Sequence, residues 1–256
     1  MSGMSSLHAP LNTLVCVVLL AVLTTSALWW YGVPQRWAPV WAVARGLLQL
    51  TVLSLVLNGV ITHGALVALG IAAMFGVAVV TAARRLTANG GPLLPAVGTV
   101  ALGMGAGVGA VLLIVFGTGA LELTARYTLA LAGIVVGNAM TTATLTGRRL
   151  NEAIVDRWSE VEGWLALGAT PRQATASMAR QAVHHAMIPA TDQAKTTGLV
   201  TLPGAFVGAI FGGLSPLEAG RFQIIVLASI LAAGAVCSIV VSHVMSPVRV
   251  KPLPVE

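Results

Sequence analysis

The chain has 256 residues, of which 57% are hydrophobic and only 9% charged, and its 14 Lys and Arg against 8 Asp and Glu give a net charge of +6. A soluble domain carries about 25% charged residues, so a water-soluble globular protein is excluded and lipid must be the solvent for much of the chain. The positive excess comes with no basic cluster interleaved with aromatics, which argues against nucleic acid as a partner and fits the uneven basic loops of a polytopic membrane protein.

Asp, Glu, Lys and Arg are absent from 1–35, 46–83, 86–121, 127–147, 196–217 and 222–248. A membrane helix needs about 20 mostly apolar residues. The first run has no Lys or Arg before Arg36 and so lacks the charged start of a cleaved signal peptide; it is expected to stay as a first span near 11–31. The run 46–83 is too long for one helix and breaks around Asn58, Gly59, His63 and Gly64, giving spans near 38–57 and 64–83. The others predict spans near 94–117, 128–146, 199–214 and 224–245, about seven in all. Cys16 and Cys237 fall in apolar runs, which yields no disulfide framework and no zinc motif.

Loop charge orients these spans. With the N-terminus outside, the inner side holds Arg36, Arg84, Arg85, Arg148, Arg149, Arg157, Arg172, Arg180, Lys195, Arg249 and Lys251, while the outer side holds Arg126 and Arg221. That asymmetry predicts an outside N-terminus and a cytoplasmic C-terminus in the cell membrane. Gly103/Gly107, Gly105/Gly109, Gly133/Gly137 and Gly204/Gly208/Gly212 have the four-residue spacing that lets membrane helices approach closely.

Residues 147–198 form the one large polar segment, expected to lie in the cytosol between the fifth and sixth spans. Leu150, Ile154, Trp158, Val161 and Leu165 recur at three- and four-residue steps, an amphipathic helix. Gly168 is a natural helix stop. Thr170-Pro171-Arg172-Gln173 then reads as a fresh start, with Thr170 as N-cap, Pro171 as first helical residue and Gln173 closing a capping box. The helix-elbow-helix either lies on the membrane surface, where Trp158 and Trp164 would suit it, or docks a soluble partner. Its mixed charges favour docking over a surface-binding helix rich in Lys and Arg.

The wording of the elbow resembles a known family. Glu162-Gly163-Trp164-Leu165-Ala166-Leu167-Gly168 is similar to the cytoplasmic loop of ABC transporter permeases, and its continuation Ala169-Thr170-Pro171 is more specific. Gly137-Asn138-Ala139-Met140 with Arg149-Leu150, Leu202-Pro203-Gly204 with Gly208, Ile210, Gly212 and Gly213, Pro216, Ala219 and Gln223, and Arg45 with Gln49-Leu50 add to it. Over roughly 40–245 the chain resembles the Fet-type iron-export permeases, whose plant relatives are linked to aluminium tolerance. The resemblance implies an all-α single permease domain, 1–256, which pairs with itself and with two copies of a separate ATPase that binds the ATP and Mg. No Walker motif occurs here, so this chain is not expected to be an enzyme or to hold a cofactor of its own.

The resemblance also assigns roles. Glu160, Glu162, Trp164, Leu165, Leu167, Gly168, Ala169, Thr170 and Pro171 would couple to the ATPase. Polar groups within spans cost free energy and tend to be functional, which makes Arg45, Asn138, Met140 and Thr141 candidates for the translocation path, together with Gln49, Pro203 and Gln223 of the resembling blocks. In the sixth span Ala205, Phe206, Val207 and Ala209 stand where the family has Met, Met, Thr and Gln, so soft or polar ligands would lie elsewhere. His184 and His185 are the metal-ligand candidates; neighbours in sequence, they sit about 100° apart on a helix. Asp192 and Lys195 are spaced to pair with each other. The function implied is export of a metal ion, iron by family. An ABC permease for a lipid or nucleotide-sugar substrate and an ATP-independent channel or carrier stay open as alternatives.

Overall fold

The computed structural model describes residues 2–60, 64–88 and 90–252. Among them the secondary structure is helical throughout, with a single isolated bridge between Thr197 and Thr201 and no extended strand. The chain divides into two compact units, Met1–Thr62 and His63–Glu256.

The first unit is a pair of helices, α1 (Ser2–Trp30) and α2 (Ala38–Val60), packed against each other across a turn at 31–37. Gly32 and Gln35 take left-handed backbone angles in that turn, φ 75° and 60°. The hydroxyls of Thr24, Ser26, Thr51 and Ser54 donate to carbonyls one turn earlier in their own helices. A hydroxyl satisfied in this way can face lipid without a partner from another helix. The expected break after α2 includes His63, which lies outside the described residues.

The second unit holds α3 (Gly64–Leu86), α4 (Leu93–Gly117), α5 (Ala125–Asp156), α6 (Trp158–Ala166), α7 (Pro171–Ala174), α8 (Ala176–Thr196), α9 (Gly204–Phe211) and α10 (Pro216–Met245). Five helices among the described residues are long and apolar enough to cross a membrane: Asn12–Trp30 of α1, then α3, α4, α5 and α10. The protein is therefore a multi-pass membrane protein. The core joins α3, α4, α5 and α10 through Ala82, Val100, Met104, Leu131, Val135, Ala143, Cys237 and Val241, each buried.

Close approaches set the directions of these helices. An added Cβ on Gly103 would meet the Val241 side chain and the Cys237 carbonyl, and one on Gly107 would meet Ala233, so α4 runs antiparallel to α10. Gly147 lies against both Leu86 and Met245, and Gly133 against Met74, so α3, α5 and α10 run parallel. At one end of this bundle Arg84, Arg85, Arg148, Arg149 and Arg249 gather near the Leu86–Gly147–Met245 level, and it is called the basic end below. Of the other small-residue pairs read from the sequence, Gly109, Gly137, Gly204 and Gly208 have no protein atom near the place of an added Cβ. Their spacing is not used for packing among the described residues.

Two expectations need correction. The sixth span predicted at 199–214 contains only α9, a helix of 8 residues. That is about 12 Å long, well short of the roughly 30 Å hydrocarbon core. The segment 147–198 is likewise not one loop outside the bundle. Thr175 Oγ1 donates to the Ser246 carbonyl at 2.8 Å, Ser242 Oγ to the Ala179 carbonyl at 3.4 Å, and Met187 lies against Gly234. Each step along α8 from 175 to 187 is thus matched by an equal step backwards along α10, from 246 to 234. α8 therefore runs antiparallel to a membrane-spanning helix and lies at bundle depth, also packed on α5. Its 21 residues reach about 31 Å, a bilayer core's width.

Candidate functional site

The polar part of this site begins with α8. Met178, Ala182 and Ala186 recur every four residues and are buried, while Arg180, Gln181, His184, His185, Ile188, Pro189, Asp192, Gln193 and Lys195 are exposed. Met178 and the two alanines on the first face seat the helix against α5 and α10. The second face is a polar stripe at the level of the apolar bundle. Ionisable groups at membrane depth are costly and face either water-filled cavities or other protein.

His184 and His185 neighbour one another with ring centroids 5.6 Å apart. Pro189 interrupts the helix four residues after His185 and has no N–H to offer that carbonyl. The turn therefore combines two imidazoles with a carbonyl that lacks its usual helical donor, and Met187 and Thr142 both adjoin Gly234. Lys195 and Asp192 form the expected pair at 3.3 Å, near the end of α8 remote from the basic end. The sequence reading placed the two histidines and this pair in a cytosolic segment. The antiparallel register with α10 places the histidines at the height of the bundle instead, on the exposed face of α8. The signal that would have found this was the 178, 182, 186 stripe of small and apolar residues, a packing face.

The other path candidates separate. Asn138 Nδ2 donates to the Ile134 carbonyl at 2.9 Å and Thr141 Oγ1 to the Gly137 carbonyl at 3.2 Å, both within α5. Thr141 is exposed and Asn138 and Met140 half-buried. Gln223 is buried in α10 and its Oε1 has no hydrogen-bond partner among the described residues. Pro203 is the N-cap of the short α9. Arg45 and Gln49 are exposed one turn apart on α2, in the first unit.

The second part of the site is the elbow. α5 has 32 residues and continues beyond the Gly147 level, so its last turns leave the bundle with α6 and α7. The backbone breaks at Arg157 (φ −111°, ψ 33°), which splits the amphipathic stripe between α5 and α6 rather than leaving one helix. The stripe still packs as read: Leu150, Ile154 and Val161 are buried with Ala174, Met178 and Ala182, and Trp158 and Leu165 are partly buried against them. α6 ends in a Schellman motif, in which the Gly168 N–H donates to the Leu165 carbonyl and the Ala169 N–H to the Trp164 carbonyl, both at 3.0 Å. Gly168 has φ 88°, where a Cβ would strain the backbone.

The capping box follows as the residue pattern requires. The Thr170 N–H donates to Gln173 Oε1 at 2.8 Å, and the Gln173 N–H to Thr170 Oγ1 at 3.4 Å. Thr170→Ala is expected to lower stability by about 1 kcal/mol with the fold retained, measured as the thermal midpoint in detergent. Thr175 joins the elbow to the bundle, since its buried hydroxyl lies within hydrogen-bonding distance of both the Pro171 and Ser246 carbonyls. Glu160 and Glu162 are exposed, and Leu167 is 83% and Trp164 51% exposed. Leu165, which the resemblance also placed against a partner, is half-buried and packs in part against the elbow's own core.

Residues 11–248 match the family described as "Uncharacterised protein family (UPF0014)". The chain is 38% identical to "UPF0014 membrane protein STAR2" of Oryza sativa subsp. japonica, over 81% of this chain and 72% of that protein. It is 35% identical to "Protein ALUMINUM SENSITIVE 3" of Arabidopsis thaliana, over 93% of this chain and 85% of that protein. It is also 35% identical to "Probable iron export permease protein FetB" of Escherichia coli, over 56% of this chain and 55% of that protein. None of these three is described as an enzyme. No solved structure matches the chain.

Proposed function

Because the chain belongs to the UPF0014 family of membrane proteins, we propose that it is the permease subunit of an ATP-driven exporter that moves a metal ion, iron foremost, out of the cytosol. The similarity to a probable iron export permease supports the cargo. The observation that carries transport is the polar stripe of α8 held at the depth of the apolar bundle.

In this reading residues 1–256 form one permease domain with seven spans: α1, α2, α3, α4, α5, α8 and α10. α8 replaces 199–214 as the sixth, so an outside N-terminus and a cytoplasmic C-terminus still follow. The basic end faces the cytosol, where Arg84, Arg85, Arg148, Arg149, Arg249 and Lys251 obey the positive-inside rule; Lys195 moves to the outer side. Two copies of the chain assemble with two copies of an ATPase, which holds ATP and Mg. Closure of the ATPases pushes on the exposed elbow around Leu167, and the Thr175 contacts pass that motion to the end of α10.

The cargo follows the stripe. Arg180 lies at its inner mouth, and His184, His185 and the carbonyl left by Pro189 offer nitrogen and oxygen donors midway, of the kind that suits iron. The test is ATP-dependent iron accumulation in inverted vesicles that hold this chain and its ATPase. Wild type is expected to accumulate iron only with ATP, and a His184→Leu/His185→Leu variant to lose at least about tenfold in rate while inserting normally, as removal of both imidazoles from the path requires. Unchanged uptake in that variant would remove the stripe from the path. Arg180 and Lys195 against the single Asp192 support a second reading, an anionic lipid or nucleotide-sugar cargo. ATP hydrolysis stimulated by the permease without iron uptake would move the cargo there.

A further inference from the structure

At the basic end, α3, α4 and α5 enclose a cleft of about 350 Å³ that is separate from the α8 stripe. Arg85, at the last turn of α3, and Arg148, in α5, both line it, and no acidic residue does among the described residues. The rest of the lining is largely apolar or small, including Leu86, Pro95, Ala96 and Met245.

Two features of the arginines stand out. Neither forms an ion pair among the described residues, whereas the neighbouring Arg149 pairs with Glu152 at 3.0 Å. Arg148 Nε is buried and has no hydrogen-bond partner among the described residues. A buried guanidinium N–H without an acceptor costs free energy comparable to a lost charged hydrogen bond. The cleft also receives the start of α4, whose N-cap Pro92 supplies no side-chain acceptor for the first N–H groups of that helix. Donors without acceptors, two uncompensated cations and an apolar wall thus converge at the level where membrane-spanning helices end.

We propose that this cleft binds the phosphate of an anionic phospholipid headgroup, held between Arg85 and Arg148, with the glycerol and the upper acyl chain against Leu86, Pro95 and Met245. Arginine recognises phosphate through paired N–H donors, and basic pockets between membrane helices at the headgroup level take such lipids. A free phosphate would satisfy the arginines equally but would leave the apolar wall uncovered. The site depends only on the membrane position of the basic end, not on the transported cargo.

The test is the lipid bound to the full chain after reconstitution in nanodiscs of phosphatidylglycerol and phosphatidylcholine at one part to nine, released into detergent and weighed by native mass spectrometry. Wild type is expected to hold phosphatidylglycerol over phosphatidylcholine at a ratio about thirtyfold above that of the bulk, the scale set by two arginines at the membrane surface. R85Q/R148Q is expected to fall to the bulk ratio and R85K/R148K to keep part of the enrichment. R84Q/R149Q, which removes the same charge from residues that do not line the cleft, is expected to match wild type. Equal loss in the two Gln double variants would reduce the effect to diffuse surface charge and overturn the site. Millimolar inorganic phosphate that binds the lipid-free chain and displaces phosphatidylglycerol would overturn the lipid assignment.

Discussion

Gly107→Ala is expected to destabilise the bundle by about 3 kcal/mol, lowering the thermal midpoint in detergent by roughly 10 °C on the scale of a chain this size. The new methyl carbon would lie 2.5 Å from the Ala233 carbonyl oxygen and 3.2 Å from its carbon, inside the backbone of α10. Backbone cannot swing aside as a side chain can, so α4 and α10 would have to separate along the line that also holds Gly103 against Val241 and Cys237. Membrane helices gain stability from close packing rather than from escape from water, and that packing is what the separation would lose. Gly109→Ala is the matched control. It lies two residues further along the same helix with no atom of the described residues within 4 Å of its added carbon, and removal of a helical glycine favours the helix by up to about 1 kcal/mol. Equal midpoints for the two variants would show that α4 and α10 do not meet at Gly107.

On the proposed function, in which a separate ATPase docks on the elbow, Leu167→Glu is expected to abolish stimulation of that ATPase and to reduce transport, while the chain inserts and remains monodisperse. Leu167 is 83% exposed at the tip of the elbow and buries little against the described residues. A leucine side chain moved from water into a partner's groove contributes about 1.5–3 kcal/mol, and a carboxylate placed in the same groove adds an unpaired charge. Because the side chain has so little to lose at home, a loss of coupling would report on docking and not on folding. The measurement is ATP hydrolysis by the reconstituted complex with and without the permease, alongside the thermal midpoint of the permease alone. Unaltered stimulation would sink the elbow as the docking element.

Legibility followed the range of the interaction responsible. The Gly168 turn and the Thr170–Gln173 box were readable because their bonds close within five residues and depend on local backbone angles. The same logic applies to the Ser215–Glu218 capping box at the start of α10, which the sequence reading passed over although Ser215-Pro216-Leu217-Glu218 spells it. Gly103/Gly107 and Gly204/Gly208 carry the same spacing, yet only the first pair meets another helix among the described residues. Spacing states that a close approach is possible; a partner at that height decides whether it occurs.

The sequence by itself determined that this is an all-helical, multi-pass membrane protein and where α1, α3, α4, α5 and α10 run, because a lipid-facing helix must carry its apolarity in its own residues. It also determined the Gly168 turn and the Thr170–Gln173 box, whose geometry is written in adjacent residues. Only the tertiary structure decided that α8, and not the eight-residue α9, runs the depth of the bundle alongside α10. A helix seated on α5 and α10 with Met178, Ala182 and Ala186 buried is shielded by protein on that side, so it can carry Arg180, His184, His185 and Lys195 on the other. Averaged along the chain, such a helix looks like a soluble loop; its depth is set by the register with α10, a pairing of residues some 50 to 70 positions apart that no local pattern encodes.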